Sequence, residues 1–575
     1  MNLMLCLVTV LAMSLTVMSA PVEPDLILHH GKIITVDPKF SVYEALAVKS
    51  GRILKVGSSV EVLRMKGPDT HVVDLHQKSV LPGLMDSHVH PADACLTEFD
   101  HAIPEMETIG EVLKYVASRA KSVREGEWIQ LRQIFITRLQ EQRYPTRKEL
   151  DLAAPKNPVV FATGPDASLN SLALQLSGMD KNFKVNDGGP GYIEKDPSTG
   201  EPTGIIRSCT RYVKAVSSER QPTVEDRKKR LLQLFDDYNS VGITSIGDRD
   251  TSPDQIQQYR ELLQAGKLTL RVSVSHHIDT IGPIETIEEK IRIVSKDPLL
   301  RAEGLLKIIG IKTYLDGGML TGSAYMREPW GVSKVYSITD PTYRGVLFIP
   351  RERLLPIVKT TLDAGLQFTA HSVGDGAVHT LMDVYEELNR AHPVRSTRPC
   401  ITHSNFMSQE AMEKMVALGV VVDIQPAWLY LDTRTLVGHF GYDRLRYFQP
   451  LRSIFERGGI AGGGSDHMQK IGSLRAVNPY NPFLGMWITL TRKANHYDGQ
   501  LHPEESLNRE QAIRFYTSNN AYLLFQDRET GSLETGKLAD LIVIDRDILT
   551  CPVDQVKSIQ VLQTYLAGQL VFERK

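Results

Sequence analysis

The stretch "LPGLMDSHVHP" (residues 81–91) decides how the rest of the chain is interpreted. It sets His88 and His90 one residue apart, directly behind a short apolar run. Side chains at positions i and i+2 of a strand point the same way, so these two imidazoles can face one metal ion. With 17 histidines in 575 residues, about half an HxH pair is expected by chance, so the pair indicates a metal site only if other strands supply further ligands.

Seven more short apolar runs follow, each leading through polar residues into a longer helical pattern. They are "GITSIGD" (242–248), "LRVSVSH" (270–276), "LLKIIGIKTYLDG" (305–317), "LQFTAHS" (366–372), "PCITHS" (399–404), "VVVDIQP" (420–426) and "IAGGGSD" (460–466). Eight strands alternating with helices predict an α/β protein with a (β/α)8 TIM barrel over residues 81–529, with reactive residues at the carboxyl ends of the strands. The gap of about 150 residues after the first strand is too long for one connection, so we predict an inserted subdomain at about residues 95–235.

Both ends of the chain are rich in short strand patterns and predict a separate domain. "DLILHHGKIITVD" and "ALAVKSGRILKVG" are typical of hairpins that turn at residues 29–31 and 50–51. Near the other end, "ADLIVID" (539–545) precedes "VLQTYLAGQLVFER" (561–574), which turns at Ala567–Gly568. We therefore predict a small β-sandwich domain built from residues 21–80 and 530–575.

The first residues, "MNLMLCLVTVLAMSLTVMSAPVEP", form an apolar stretch that ends in small residues. This pattern predicts a signal peptide over residues 1–20, with cleavage near Ser19 or Ala20. The alternative is a retained membrane anchor, but an apolar run of roughly 16 residues is short for a span of about 20. We expect an exported protein, periplasmic or secreted, that has no membrane contact after the signal is removed.

Charge and cysteine content narrow the range of partners. The chain has 66 basic and 68 acidic residues, and its formal charge of −2 gives no reason to expect nucleic acid or an anionic membrane as a partner. The cysteines are far apart and include no CxxC pair, so they predict neither a disulfide framework nor a zinc ribbon: Cys6, Cys95, Cys209, Cys400 and Cys551. The expected partner is a small-molecule substrate, and a homo-oligomer is left open.

Residues able to bind metal follow four more of the predicted strands. Strand four carries Lys312, strand five ends in His371, strand six in His403 and strand eight in Asp466. Each residue alone has an ordinary alternative, such as a structural histidine, a salt-bridged lysine or a helix cap. Together with the HxH pair they would surround one barrel mouth, and imidazole and carboxylate are ligands that suit Zn²⁺. The sequence therefore predicts a metal site there.

Several motifs resemble the metal-dependent amidohydrolase superfamily. They are "LPGLMDSHVHP", "HSVGDGAVH" (371–379), "ITHSN" (401–405), "GGGSDH" (462–467) and "TGSLETGKLADLIVID" (530–545). "LNSLALQLSG" (169–178), "EPTGIIR" (201–207) and "KTYLDGGMLTGSA" (312–324) are similar to the amidohydrolase-3 branch of YtcJ-like and N-substituted formamide deformylase-like proteins. The resemblance runs from about residue 24 to the carboxyl terminus.

The resemblance implies how the metal ligands divide between two ions. His88 and His90 would ligate one divalent ion, and His371 and His403 would ligate a second, with Zn²⁺ the expected metal. Lys312 matches the position that reacts with CO₂ in relatives, and the carboxylated lysine then bridges the two ions.

Asp466 has two implied tasks. It would ligate the first ion and act as the general acid and base when metal-activated water attacks the substrate. If Lys312 stays an amine, the alternative is a single ion held by His88, His90 and Asp466.

The sequence departs from the family pattern at two positions that bear on specificity. Asp166 stands where many relatives have a histidine, and His467 follows Asp466 where a small residue is usual; it is either an extra pocket donor or a residue that orients its neighbour. The loops suggest the following substrate contacts: Arg207, Thr321, Ser323, Asp375, Gln425 and Trp428. Arg207 would clamp a carboxylate, with an ion pair inside the subdomain as the alternative. We expect structural or surface roles for five further histidines: His29, His30, His276, His277 and His379.

These expectations favour a metal-dependent hydrolase that cleaves a C–N bond of an amide, a formamide or a cyclic imide, other than a peptide bond. Two alternatives remain open at this point. The same site would also serve an ester, a lactone or a phosphoester, and an exported binding protein without catalysis could be built on the same scaffold.

Overall fold

The computed structural model describes residues 22–132 and 134–575, so the predicted signal peptide at residues 1–20 lies outside the described residues. At its centre is an eight-stranded sheet whose neighbouring strands all pair in parallel. Its strands, called barrel strands one to eight, are Leu84–Val89, Ile243–Thr251, Arg271–His277, Leu306–Tyr314, Gln367–Ser372, Cys400–His403, Val421–Ile424 and Ala461–Gly463. Each lies within or overlaps one of the eight predicted stretches, so the predicted barrel sheet is confirmed.

The sheet is nearly closed into a barrel, because the segment after strand eight returns to strand one. The backbone N–H of Asp466 donates to the His88 carbonyl at 2.8 Å, and the N–H of His90 donates to the His467 carbonyl at 2.8 Å. The strands follow one another around the sheet in chain order. The carboxyl ends of all eight strands therefore meet at one mouth.

Helices cover the outside of the barrel and begin at residues that cap them. Thr223 caps the helix before strand two and shares a capping box with Asp226, and Ser252 does the same with Gln255 for the helix after that strand. The α-helices from strand one onward are Pro91–Ala94, Ile109–Ser122, Arg147–Ala153, Ser171–Ser177, Val224–Ser240, Pro253–Gln264, Ile284–Val294, Arg351–Asp363, Asp375–Asn389, Gln409–Leu418, Pro426–Phe440, Leu451–Glu456, Pro482–Thr491, Arg509–Phe515 and Ser518–Leu523.

A five-stranded sheet lies between barrel strands one and two in the chain. In order across the sheet its strands are Tyr192–Lys195, Pro202–Arg207, Asp166–Leu169, Val159–Thr163 and Ile129–Arg132. It occupies part of the stretch for which the inserted subdomain is predicted, and the boundaries of that subdomain stay a prediction.

The two chain ends share a sheet. Strand Ser79–Pro82 pairs in parallel with Lys32–Ile34 and antiparallel with Leu541–Ile544. The six strands across this sheet are Gln569–Glu573, Val561–Leu566, Leu541–Ile544, Ser79–Pro82, Lys32–Ile34 and Val42–Tyr43. A four-stranded sheet consists of Arg52–Gly57, Ala45–Lys49, Leu26–His29 and His71–Asp74, with the short helix Ser59–Leu63 beside it. The predicted hairpin turns at residues 50–51 and 567–568 are both present.

The predicted hairpin around residues 29–31 is wrong. Leu26–His29 pairs with Ala45–Lys49 and His71–Asp74, whereas Lys32–Ile34 belongs to the six-stranded sheet. The chain crosses between sheets at His30, whose φ is +54°. Two strand patterns joined by a tight turn look the same in sequence whether they pair with each other or pass into different layers, since the period of each strand is local.

Within the described part of the chain, no helix has both the length and the apolar character needed to cross a membrane.

Candidate metal centre

Three of the predicted metal ligands meet at the barrel mouth. The Nε2 atoms of His88 and His90 are 3.2 Å apart. The Oδ1 of Asp466 lies 3.5 Å from the first and 3.3 Å from the second. Four-coordinate bonds of about 2.0–2.1 Å at tetrahedral angles put neighbouring ligand atoms about 3.3 Å apart. The three donors therefore fit a divalent ion such as Zn²⁺ in both spacing and chemistry.

Local backbone geometry explains why this trio can form. His88 lies in barrel strand one and His90 directly after it, so the i, i+2 rule aims both rings at the mouth. Asp466 has a left-handed φ of +54° and is fixed by its N–H bond to the His88 carbonyl. A Cβ at Gly464 would lie 2.9 Å from the Cβ of His88, so the glycine lets the two strands approach.

His371 and His403 stand beside the trio. The His403 ring centroid is 4.9 Å from that of His88 and 4.5 Å from that of His371. The Nε2 of His371 faces the carbonyl oxygen of Gly317 at 3.3 Å. The five predicted ligands at these strand ends are thus neighbours, but the compact three-donor group is limited to His88, His90 and Asp466.

Asp423 in strand seven and Gln425 just after it contact the imidazoles on the side away from the cage. Asp423 was not among the predicted site residues, and Gln425 was predicted as a substrate contact. Asp423 lies 3.2 Å from the Nδ1 of His88, and the Oε1 of Gln425 lies 2.8 Å from the Nδ1 of His403. The Nε2 of Gln425 donates to Asp423 at 3.0 Å, which links the two contacts. Each imidazole therefore donates from Nδ1 and keeps the lone pair of Nε2 for an ion. Asp423 had a signal in sequence, since it lies in the apolar run of strand seven.

Burial sets the protonation of three of the four histidines that were predicted as ligands. It lowers the pKa of His88 and of His403 well below the usual value, and it lowers that of His371 to about 3, with the charge of Lys312 adding to the effect on His88 and His371. These rings are therefore neutral near pH 7, the form that ligates metal. Burial raises the pKa of Asp466, and the hydrogen bond with His90 opposes this rise.

Lys312 lies near the end of strand four, is 1% exposed and lines the same cavity as the histidines. Its Nζ stands 5.0 Å from the ring centroid of Tyr314. Burial lowers the pKa of the amine, although the carboxylates of Asp250, Asp423 and Asp466 oppose the shift. A larger share of neutral amine follows than in a solvated lysine.

A cavity of about 590 Å³ opens above these residues, a size usual for small-molecule sites. Of the predicted substrate contacts, Thr321 and Trp428 line it, and Trp428 stacks on His403 with ring centroids 4.7 Å apart. The hydroxyl of Ser323 lies behind, 2.8 Å from that of Thr321. Gln425 is buried behind His403.

Two of the predicted substrate residues lie away from the cavity lining. Asp375 begins the helix after strand five and accepts a hydrogen bond from the N–H of Arg327 at 2.9 Å. Arg207 is 1% exposed, and its guanidinium is bound by Glu194 at 2.7 Å and Asp166 at 3.2 Å. All its polar groups face protein partners, so Arg207 forms the ion pair inside the inserted segment rather than a free carboxylate clamp.

His277 was expected to have a structural or surface role, and instead it lines the cavity. The Nδ1 of His277 lies 2.5 Å from Asp250, whose other oxygen accepts from the hydroxyl of Tyr314 at 2.8 Å. All three residues line the cavity. Asp250 raises the pKa of His277 through this hydrogen bond. The signal in sequence was the strand-end rule, because His277 ends strand three and Asp250 lies near the end of strand two.

His467 has the second of its two expected roles. It is fully buried, its Nδ1 lies 2.7 Å from the Tyr238 hydroxyl, and its Nε2 contacts the Gln469 and Lys470 carbonyls. These contacts orient the segment that carries Asp466.

A parallel barrel with a His-x-His pair and an aspartate grouped at its mouth is typical of metal-dependent hydrolases. The model of the Amidohydrolase family matches residues 71–572. The chain therefore belongs to the amidohydrolase family and is a hydrolase by class, which confirms the resemblance.

Similar proteins match along nearly the whole chain. The N-substituted formamide deformylase of Arthrobacter pascens is 28% identical over 565 residues, 96% of this chain and 98% of that protein. "Putative amidohydrolase YtcJ" of Bacillus subtilis is 24% identical over 560 residues, 95% of this chain and 99% of that protein. The crystal structure of an uncharacterized metal-dependent hydrolase from Pyrococcus furiosus is 23% identical, with a TM-score of 0.64 over 91% of this chain and 100% of that one. It shares the fold.

Proposed function

We propose that this protein is a metal-dependent hydrolase that cleaves the C–N bond of an amide, a formamide or a cyclic imide, other than a peptide bond. The observation that carries the proposal is the group of His88, His90 and Asp466 at the base of a cavity of small-molecule size. The formamide deformylase among its relatives supports the bond type.

His88, His90 and Asp466 hold a divalent ion, with Zn²⁺ the expected one. Such an ion, when bound, acidifies water and polarises a carbonyl oxygen. Asp466 accepts the proton of the attacking water and returns it to the leaving nitrogen, because its carboxylate lies at the cage and burial raises its pKa. No serine or cysteine nucleophile is needed.

His371, His403 and Lys312 are the donors for a second ion. The neutral amine of Lys312 forms an N–C bond to CO₂ and loses one proton, which gives an anionic carbamate. Its lowered pKa favours the reactive neutral amine. For this role His371 must exchange its contact with Gly317 for an ion. With an unmodified Lys312, the three-donor group alone holds one ion.

The cavity lining offers both apolar and polar contacts to a substrate. Phe135, Met319 and Trp428 line it with apolar surface that excludes water from the reacting bond. His277, fixed by Asp250, offers a polar contact in the same lining. We infer that the substrate carries an apolar group next to the cleaved bond.

We further propose export to the periplasm or the medium after removal of residues 1–20, which leaves a protein without nucleic-acid or membrane partners. In this arrangement residues 21–80 and 530–575 form a β-sandwich domain, residues 81–529 form the hydrolase barrel, and the subdomain inserted in it covers about residues 95–235.

The test is hydrolysis by the purified full chain of a panel of N-formyl and N-acyl amines and cyclic imides, each with added Zn²⁺, Mn²⁺ or Co²⁺. Esters, lactones and phosphoesters are included in the panel. We expect release of free amine, and a loss of about 10²–10⁴-fold in kcat for Asp466→Asn.

Asp540→Asn is the matched control. Asp540 is as buried as Asp466, but it pairs with Arg271 at the amino end of barrel strand three, opposite the cage, so we expect near-normal kcat. Cleavage restricted to esters or phosphoesters would contradict the bond assignment. An inactive protein that retains no metal would favour a binding protein, and full activity in Asp466→Asn would refute the role of this residue.

A further inference from the structure

A second cluster of metal-ligand residues lies outside the barrel, at one end of the four-stranded sheet. Strands Leu26–His29 and His71–Asp74 run parallel there, with His29 paired with Asp74. His30 follows the first strand directly, and His76 comes two residues after the second. Two strand ends therefore bring three histidines and one aspartate together.

The spacing of the donor atoms suits one ion. One potential ligand atom from each of His29, His30 and Asp74 lies within 4.8 Å of the other two. The Oδ2 of Asp74 is 3.0 Å from the Nδ1 of His30, and its Oδ1 is 3.5 Å from the Nδ1 of His76. The first value is close to the tetrahedral ligand spacing of about 3.3 Å, and the second joins His76 to the other oxygen of the same carboxylate.

An independent observation concerns His29. Its side chain is only 8% exposed, and its Nδ1 has no hydrogen-bond partner among the described residues. Its ring centroid is 4.3 Å from that of His30. A buried nitrogen without a partner costs about 1–3 kcal/mol, so a structure that keeps one next to two other donors points to a ligand.

The backbone holds the donors in place before any ion binds. The N–H of His76 donates to Asp74 at 2.8 Å, and the N–H of His30 donates to the Ser59 hydroxyl at 3.0 Å. The N–H of Gln77 donates to the His30 carbonyl at 2.7 Å, which ties the two turns together. Little ordering of these turns remains to oppose binding.

We propose that His29, His30 and Asp74, with His76 as the fourth donor, form a second site that binds one divalent transition-metal ion, separate from the barrel cage. Three imidazoles and one carboxylate are typical of Zn²⁺ and neighbouring ions. His76, whose ring is exposed and stands at the other oxygen of Asp74, completes the tetrahedron by turning toward the ion, which leaves no open position for a substrate. The site is therefore structural. Its ion would hold the end of strand Leu26–His29 against the end of strand His71–Asp74.

The experiment compares the full chain with His30→Ala by equilibrium dialysis against Zn²⁺, followed by elemental analysis. The His30 side chain is 51% exposed, so the variant is expected to fold. We expect the variant to bind about one Zn²⁺ fewer per chain, with an unchanged kcat for the hydrolysis reaction. His71→Ala is the matched control, because this exposed histidine begins the strand that ends in Asp74 and so lies away from the cluster.

Each outcome bears on the proposal separately from the barrel site. Equal zinc content in the wild type and His30→Ala would mean that His30 and Asp74 form only an ordinary hydrogen bond, and the proposal would fail. His76→Ala, altered at a position 83% exposed, should weaken zinc binding as well. His88→Ala affects only the barrel cage. Two separate sites predict that the double variant His30→Ala/His88→Ala loses the sum of the zinc lost by the two single variants, whereas one shared site predicts no added loss.

Discussion

Replacing Asp423 with asparagine tests whether the residues behind the metal cage tune it. Asp423 is fully buried, and its Oδ1 faces the Nδ1 of His88 at 3.2 Å and receives the Gln425 amide at 3.0 Å. Its Oδ2 accepts from Thr402 at 3.2 Å and lies 3.6 Å from Arg249. Every neighbour on both sides is a donor, whereas asparagine offers one acceptor and one donor.

The favoured orientation of the new amide follows from these contacts. If its NH₂ faced His88, the ring would have to accept at Nδ1 and would carry its proton on Nε2, where the ion binds. The NH₂ therefore turns toward Thr402, whose hydroxyl can rotate to accept, and toward Arg249, which keeps its bonds to Ser275 and Gln367.

His88 then retains a neutral acceptor and loses the charge that strengthens it as a ligand. Removal of such an outer contact typically weakens metal affinity by about 10–100-fold. This is about 1.4–2.8 kcal/mol at 1.4 kcal/mol per tenfold. We expect Asp423→Asn near the lower end of this range, since the hydrogen bond itself survives.

The assay is competition for Zn²⁺ between the full chain and a chromophoric chelator, with thermal unfolding measured in parallel. Asp540→Asn should lower the unfolding temperature and leave zinc affinity unchanged, because that carboxylate accepts from Arg271 at 2.6 Å, at the end of the barrel opposite the cage. Wild-type zinc affinity in a folded Asp423→Asn protein would refute the reasoning.

Three further predictions concern the inserted segment and the cavity. Arg207→Ala should lower the free energy of unfolding by about 3–5 kcal/mol in denaturant titration, because it leaves the carboxylate of Asp166 buried and unpaired; a raised KM without lost stability would restore the substrate role. Trp428→Phe should keep the stack on His403 and most of kcat/KM, whereas Trp428→Ala should lose the stack and most of kcat/KM. Arg143 lowers the pKa of Glu149 to about 2. Glu149→Gln should therefore lower the free energy of unfolding at pH 7 by roughly 1 kcal/mol after a discount for solvent screening, and this loss should shrink as the pH falls from 4.5 toward 2. Thermal unfolding at a series of acid pH values measures it, and a loss of the same size at pH 2 would contradict the prediction.

Local patterns in the sequence were enough to predict the barrel and its mouth. An apolar run of strand length followed by a helix is a local signal, and the period of two fixes which way the side chains of His88 and His90 point. The carboxyl ends of parallel strands meet at one edge, so residues after different runs could be grouped without knowledge of any distance. The same rule would have found His277, had it been applied beyond the family motifs.

Lateral pairing and burial behind the site were decided only by the tertiary structure. Arg207 has the same sequence signal as a substrate clamp or as an internal ion pair, and the partners that decide between them, Asp166 and Glu194, depend on how the strands of the insertion align. The pairing of His29 with Asp74 joins strands 45 residues apart in the chain. Strand periodicity is a property of one segment, whereas register and layer are set by long-range contacts, so the sequence alone placed the ligand-type residues of the strand ends at the barrel mouth but did not determine which residues support them.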